Sequence, residues 1–190
     1  MSRVFDPTPV SLTSFIVDML KVCFEESTEY PYVRGDVDRS KISIVEANRL
    51  KPDEIQKRPA VIAKRGTVNV QRRVIGDSMS KNKHGEISFF VDFIGTFDIQ
   101  CVSTAAEESE IIAEEVNTCL LCFQTLISKD WDFLTFQLVN IGETTPFEEY
   151  KEAFNTSVII QYEIAKIWTL KQDAPLLKKL GLLIKSSQEC

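Results

Sequence analysis

The clearest pattern in the chain is an alternation of apolar and polar residues over positions 87–102. A period of two is typical of a β-strand with one buried face. The segment is much longer than the usual strand of about 5–6 residues, so we expect it to bend or to extend beyond its own domain. Gly95 is the expected position of a bend. The apolar positions are Ile87, Phe89, Val91, Phe93, Phe97, Ile99 and Cys101.

Two other segments carry apolar residues at helical spacing, which predicts two amphipathic helices packed on a sheet. The first begins at a cap, Ser11 or Thr13, and ends near residue 29. The second covers residues 104–128. It opens with Thr104-Ala-Ala-Glu107, a capping box in which Thr104 is the cap and Glu107 reaches back to it.

The remaining apolar runs predict further strands near residues 41–46, 60–74, 133–141 and 156–170. Residues 76–86 are polar and are predicted to form a long loop. The order is α, β-hairpin, α, β, β, which indicates an α+β fold with a mainly antiparallel sheet and both principal helices on one face. We predict a single domain over residues 1–190, with an extended arm at 1–10 and a tail at 171–190 that contains a short amphipathic element.

The composition suits one globular domain and disfavours a nucleic-acid binder. With a formal net charge of −6, the chain lacks the basic excess that phosphate contacts require. Such a charge fits either simple solubility or a surface that DNA slides past. No run reaches the roughly 18 apolar residues of a membrane span, and the first nine residues lack the apolar stretch of a signal peptide. We therefore expect a protein of the reducing cytosol that does not contact membranes.

The five cysteines are an odd number in a chain of this length, which argues against a disulfide framework. Cys119 and Cys122 form a C-x-x-C pair, but it falls inside the second predicted helix. We predict that these two thiols are buried and inert. A zinc site would need two more ligands, and His84 is the only histidine.

No catalytic, cofactor-binding or metal-binding residue is predicted. His84 lies in a polar loop near Ser78 and Ser80 without a nucleophile elbow. No glycine-rich phosphate motif is present. Four basic residues could contact phosphate or an acidic neighbouring subunit, or could simply be solvated at a strand edge and in a loop. They are Arg72, Arg73, Lys81 and Lys83.

Taken together, these elements resemble the tail-completion proteins, or tail terminators, of long-tailed bacteriophages, and related neck proteins of such phages. The resemblance covers residues 11–170 and is one of element order. Its parts are the helix from Ser11, the Lys57-Arg58-Pro59-Ala60-Val61-Ile62 entry to a hairpin, the strand at 85–102, the helix from Thr104, and the strands at 133–141 and 156–170.

The resemblance implies a homo-oligomeric ring, commonly a hexamer, in a virion assembled in the host cytoplasm. Such a ring docks the tail tube protein on one side and the head-side connector on the other. DNA passes through its lumen without specific binding, and the family has no catalytic residues. The loop at 76–86 and the arm at 1–10 are the expected contact elements.

Three alternatives remain open from the sequence. One is a head–tail connector or head-closure protein, which differs from a terminator in its neighbours. Another is a small enzyme that uses His84 or the Cys119 and Cys122 pair. The third is a ligand-binding domain, which would need a deep apolar pocket.

Overall fold

The computed structural model describes residues 9–36, 38–49, 55–71, 78–81, 87–130, 133–148, 150 and 152–170. Two helices and seven strands occur in these ranges. In chain order they are α1 (Pro9–Glu25), β1 (Ser43–Glu46), β2 (Ala60–Gln71), β3 (Ser78–Lys81), β4 (Ile87–Ser103), α2 (Ala106–Asp130), β5 (Phe133–Ile141), β6 (Thr145–Pro146) and β7 (Phe154–Leu170), with a 3₁₀ turn at Ala47–Arg49 after β1.

The seven described strands form one mixed sheet with the central order β1-β2-β4-β7-β5. β3 pairs with β4, and β6 pairs with β7, both antiparallel. β5 also pairs antiparallel with β7, whereas β1 runs parallel to β2. The predicted α+β class is confirmed, and the parallel pairing of β1 is a feature that the sequence pattern did not predict.

The chain groups into two compact units. The first comprises the described residues within Met1–Asn69 and Ile94–Ile164, and the second comprises those within Val70–Phe93 and Ala165–Cys190. The first unit contains both helices, β1, β5 and β6 in full. The second contains β3 and the adjoining ends of β2, β4 and β7. Our expectation of a single domain stays a prediction.

The core of the first unit lies between the two helices and one face of the sheet. The alternating residues of β4 and β7 supply the sheet side, as their period of two predicts, and the helical stripes supply the other side. Its fully buried members include Leu12, Ile16, Leu20 and Phe24 of α1, Ile112 and Val116 of α2, Phe97, Ile99 and Cys101 of β4, and Val158, Ile160 and Tyr162 of β7.

A smaller apolar cluster forms on the other face of the sheet. Ala60 and Ile62 belong to it, whereas their neighbours Val61 and Ala63 belong to the main core, because successive strand residues point to opposite faces. The segment after β6 covers this cluster with the side chain of Phe147. A backbone hydrogen bond from the Phe147 amide to the Ala153 carbonyl, 2.8 Å long, closes that segment.

Three predicted boundaries are wrong. α1 begins at Pro9, two residues inside the predicted arm, because the missing amide of proline costs nothing in the first turn of a helix. It ends at Glu25 rather than near residue 29. The chain turns back directly after Glu25, and the Tyr32 amide donates to the Phe24 carbonyl over 2.8 Å. Ser78–Lys81 is a strand rather than a loop, and its four residues are too few and too polar to show an alternating pattern.

Residues 1–8, 82–86 and 171–190 lie outside the described part of the chain.

The start of α2 uses a different residue pair from the predicted box of Thr104 and Glu107. The Ser103 hydroxyl donates to the Glu108 carboxylate and accepts the Ala105 amide over 3.2 Å. The helix begins at Ala106, so Glu108 lies in its first turn, where a carboxylate complements the helix dipole. The serine one residue before Thr104 therefore stabilises the helix start.

Candidate interaction surface

The described residues contain no group of three or more His, Cys, Asp or Glu side chains that could hold a metal ion. His84 lies outside them, and only the backbone of Ser78 and Ser80 is described. The structure therefore does not test catalysis by His84.

The cysteines differ from the prediction. Cys119 forms a disulfide with Cys23, so α1 and α2 are covalently joined, and Cys122 is an exposed free thiol. The predicted burial is confirmed for Cys119, which is however a disulfide partner rather than a thiol, and is wrong for Cys122, which is exposed. Cys23 and Cys119 are 96 positions apart in the sequence, and only the packing of the helices brings their Cα atoms to 6.2 Å. Cys101 is the buried free thiol, and burial, with a smaller effect from Asp98, raises its pKa far above the usual value.

A cleft of about 560 Å³ opens beside the start of α2. Arg58 helps to form its wall and donates from Nη1 to the Ser40 carbonyl over 3.0 Å. Burial, and then the nearby Glu108 carboxylate, raise the pKa of Tyr30 in the same wall. Charged side chains dominate the lining, which includes Glu29, Asp38, Lys41, Lys57, Arg58 and Glu108. The cleft is therefore not the deep apolar pocket that the ligand-binding alternative needs.

The edge of the sheet formed by β5 exposes large apolar side chains. Leu134 and Val139 lie at the two register shifts in the pairing of β5 with β7. An extra residue at such a shift is not paired, so its side chain is displaced from the regular alternation. Leu134, Val139 and Ile141 are between 41% and 54% exposed. A strand at an open sheet edge with apolar side chains is a common site of protein–protein contact.

Helix α2 runs alongside β5 and adds to this surface. The Gln124 side-chain amide donates to the Phe136 carbonyl over 2.9 Å, and the Thr144 hydroxyl donates to Glu110 over 2.7 Å. These bonds place one side of α2 next to β5. Glu110, Glu114 and Leu121 lie on that side, because positions separated by four, seven and eleven residues share a helix face. By length and composition the Ala106–Ser128 part of α2 could also cross a membrane, and 33% of its 18-residue apolar stretch is buried in the fold.

We call this surface the β5 flank. Its centre is apolar and its rim is acidic. It consists of Leu121, Leu134, Val139 and Ile141 at the centre and Glu110, Glu114 and Glu143 at the rim, all of them exposed.

The opposite edge of the sheet has a different character. β1 covers only Ala60, Val61, Ile62 and Ala63 of β2. Among the described residues, no strand continues β1 along β2 beyond that point. Lys64 and Arg65 follow directly and are exposed. Together with Arg49 they line a shallow cleft of about 450 Å³. We call Arg49, Lys64 and Arg65 the β1–β2 flank.

The sheet face opposite the helices is polar between β4 and β7. Phe97 and Ile99 point into the main core, so Asp98 and Gln100 point to the other face. The Gln100 side-chain amide donates to Asp98 over 3.1 Å. On β7 the residues between the buried positions are Ile159, Gln161 and Glu163, and they are partly exposed. The polar side chains at these positions, Asp98, Gln100, Gln161 and Glu163, are amides and carboxylates.

The structure describes little of the four predicted contact residues. Arg72, Arg73 and Lys83 lie outside the described residues. Lys81 is the last residue of β3, paired with Ile87, and only its backbone is described. Both flanks were missed by the sequence analysis. A signal existed for the β5 flank, since residues 133–141 contain more apolar positions than one strand face can bury.

Comparison with protein-family models and with curated proteins finds no match for this chain. A functional proposal therefore depends on the physical character of its own surfaces.

Proposed function

We propose that this chain is a structural subunit of a homo-oligomeric ring, and specifically the tail terminator of a long-tailed bacteriophage. The observation that carries the proposal is the pair of sheet edges along which no further described strand lies. One edge presents half-exposed Leu134 and Val139, and the other leaves Lys64 and Arg65 beyond the end of β1. A subunit that works alone would gain nothing from exposing apolar side chains along a strand edge.

The polar sheet face supports the passage of DNA. Asp98 and Glu163 place negative charge on that face, among side-chain amides. Carboxylates repel phosphate, so a channel lined in this way lets DNA slide without binding it. In the proposed ring of about six copies this face is directed towards the lumen.

The proposed partners are further copies of the chain, the tail tube protein below the ring and the head-side connector above it. Arg72, Arg73, Lys81 and Lys83 remain candidates for contact with an acidic neighbour. We propose no cofactor, metal ion or catalytic step. The ring acts by geometry, since it ends growth of the tube and provides a second docking surface. The proposed location is the virion, after assembly in the host cytoplasm.

The first test is the mass of the purified protein in solution, measured by light scattering after gel filtration at several concentrations and salt levels. We expect a ring of about six copies, or a monomer that forms rings on concentration. A chain that stays monomeric at every concentration, both alone and with tail tube protein, contradicts the proposal.

Electron microscopy of particles that lack the protein distinguishes a terminator from a connector. Overlong or abnormal tails are expected for a missing terminator. Leaking heads beside normal free tails would instead identify a head-closure protein and would overturn the specific assignment.

A further inference from the structure

The two flanks carry opposite charge. Glu110, Glu114 and Glu143 on the β5 flank are exposed, and no described residue forms an ion pair with them. Lys64 and Arg65 on the β1–β2 flank are also exposed and also lack an ion pair with any described residue. Arg49 differs, because it lies 3.8 Å from Glu46. Apart from Arg49, the charges on each flank are therefore not ion-paired with any residue in the described part of the subunit.

The flanks lie at opposite edges of the same sheet, since the strand order runs from β1 to β5. Two β5 flanks cannot meet face to face without bringing their glutamates together, and two β1–β2 flanks would bring their cations together. Juxtaposed like charges disfavour a contact, whereas an acidic rim against a basic cleft favours it. Each flank is thus complementary in charge to the other flank of a second copy, and a contact between the two would be head-to-tail.

The net charge of −6 does not prevent this contact. At physiological salt, charges separated by more than about 8 Å are largely screened. Pairs in direct contact keep their attraction, and the half-exposed Leu134 and Val139 lose water at the centre of the interface. The apolar centre supplies affinity, and the charged rim fixes which edge is chosen.

We infer that the β5 flank of one subunit packs against the β1–β2 flank of the next, with Glu110 and Glu143 opposite Lys64 and Arg65. This inference rests on the proposed ring and names the surfaces that build it. The occupant of each flank is a second copy of this chain.

The experiment is a charge exchange between two variants of the full chain. In the first variant, K64E/R65E, both flanks are acidic. In the second, E110K/E143K, both flanks are basic. We expect each variant alone to remain folded but to dissociate, with a dissociation constant raised about tenfold or more. Far-ultraviolet circular dichroism checks that each variant is folded.

An equimolar mixture of the two variants should associate again, because every contact in an alternating assembly then joins an acidic flank to a basic one. Higher salt should weaken this mixed assembly. The double variant R34E/K57E is the matched control, since it reverses two exposed cations outside both flanks, and we expect it to associate like the wild type.

Failure of this inference differs from failure of the ring proposal. If the wild type forms rings and K64E/R65E forms them equally well, the assigned flanks are wrong while the ring stands. If neither variant forms rings and an equimolar mixture of the two does not form them either, the assigned pairing of the flanks is also wrong. A wild type that never associates, even with tail tube protein, overturns both proposals.

Discussion

Gly95 and Tyr162 illustrate how closely neighbouring strands pack in this core. The Tyr162 ring is fully buried, with its centroid 5.2 Å from that of Phe97 and 6.1 Å from that of Phe133. Burial raises the pKa of Tyr162, although Arg65 partly opposes the shift, so the side chain stays neutral. The hydroxyl lies where a side chain at position 95 would be. Only glycine leaves room for it.

We predict that Gly95→Ala destabilises the protein by about 1–3 kcal/mol, because the added methyl carbon would lie 2.4 Å from the Tyr162 hydroxyl oxygen and overpack the core. Urea denaturation followed by circular dichroism measures the change. Gly142→Ala is the control. Its added carbon meets nothing closer than 3.5 Å, and a change within about 0.5 kcal/mol is expected. Equal effects of the two substitutions would contradict this account.

At the scale of elements, the sequence pattern and the structure differ in which hydroxyl stabilises the start of α2. Thr104 matches the capping pattern, but it is exposed. Ser103 is 1% exposed and makes the bonds to Glu108 and to the Ala105 amide. A pattern of residue types gives the start of a helix to within one residue, while burial determines which hydroxyl is held in place.

We therefore predict that Ser103→Ala lowers the free energy of unfolding by about 0.5–2 kcal/mol, because a buried hydroxyl and its two hydrogen bonds are lost. Thr104→Ala should change it by less than about 0.5 kcal/mol. Thermal or chemical denaturation of the two variants side by side gives the comparison. A larger loss for Thr104→Ala would restore the capping box that the sequence predicted.

For the whole molecule, the disulfide is the longest-range constraint in the described residues. It closes a loop between positions 96 residues apart, and closing a long loop removes much of the freedom of the unfolded chain. Cys23→Ala should lower the free energy of unfolding by about 2–5 kcal/mol under non-reducing conditions. Cys122→Ala, an exposed free thiol, is the control and should leave it nearly unchanged. Equal free energies for Cys23→Ala and the wild type would contradict this expectation.

Much of the fold could be predicted from the sequence, because alternation and helical spacing are local signals. The long strands β4 and β7, both helices and the α+β class follow from them. The disulfide and the parallel pairing of β1 with β2 could not be predicted, since each depends on contacts between segments distant in the chain. The flanks are a similar case. In the sequence, Lys64 is one polar residue after an apolar run. It lies at an uncovered edge of β2 only because β1 ends opposite Ala63.

The bond between Cys23 and Cys119 also determines how the chain behaves once it is cut. A protease that cleaves one peptide bond between these residues, for example in the turn around Arg34 and Gly35, leaves both pieces attached to each other. The nicked protein then migrates near its full mass of 21.6 kDa in a denaturing gel without reductant. It separates into two fragments only when a thiol is added. A cut after Cys119 releases the carboxyl-terminal piece under either condition.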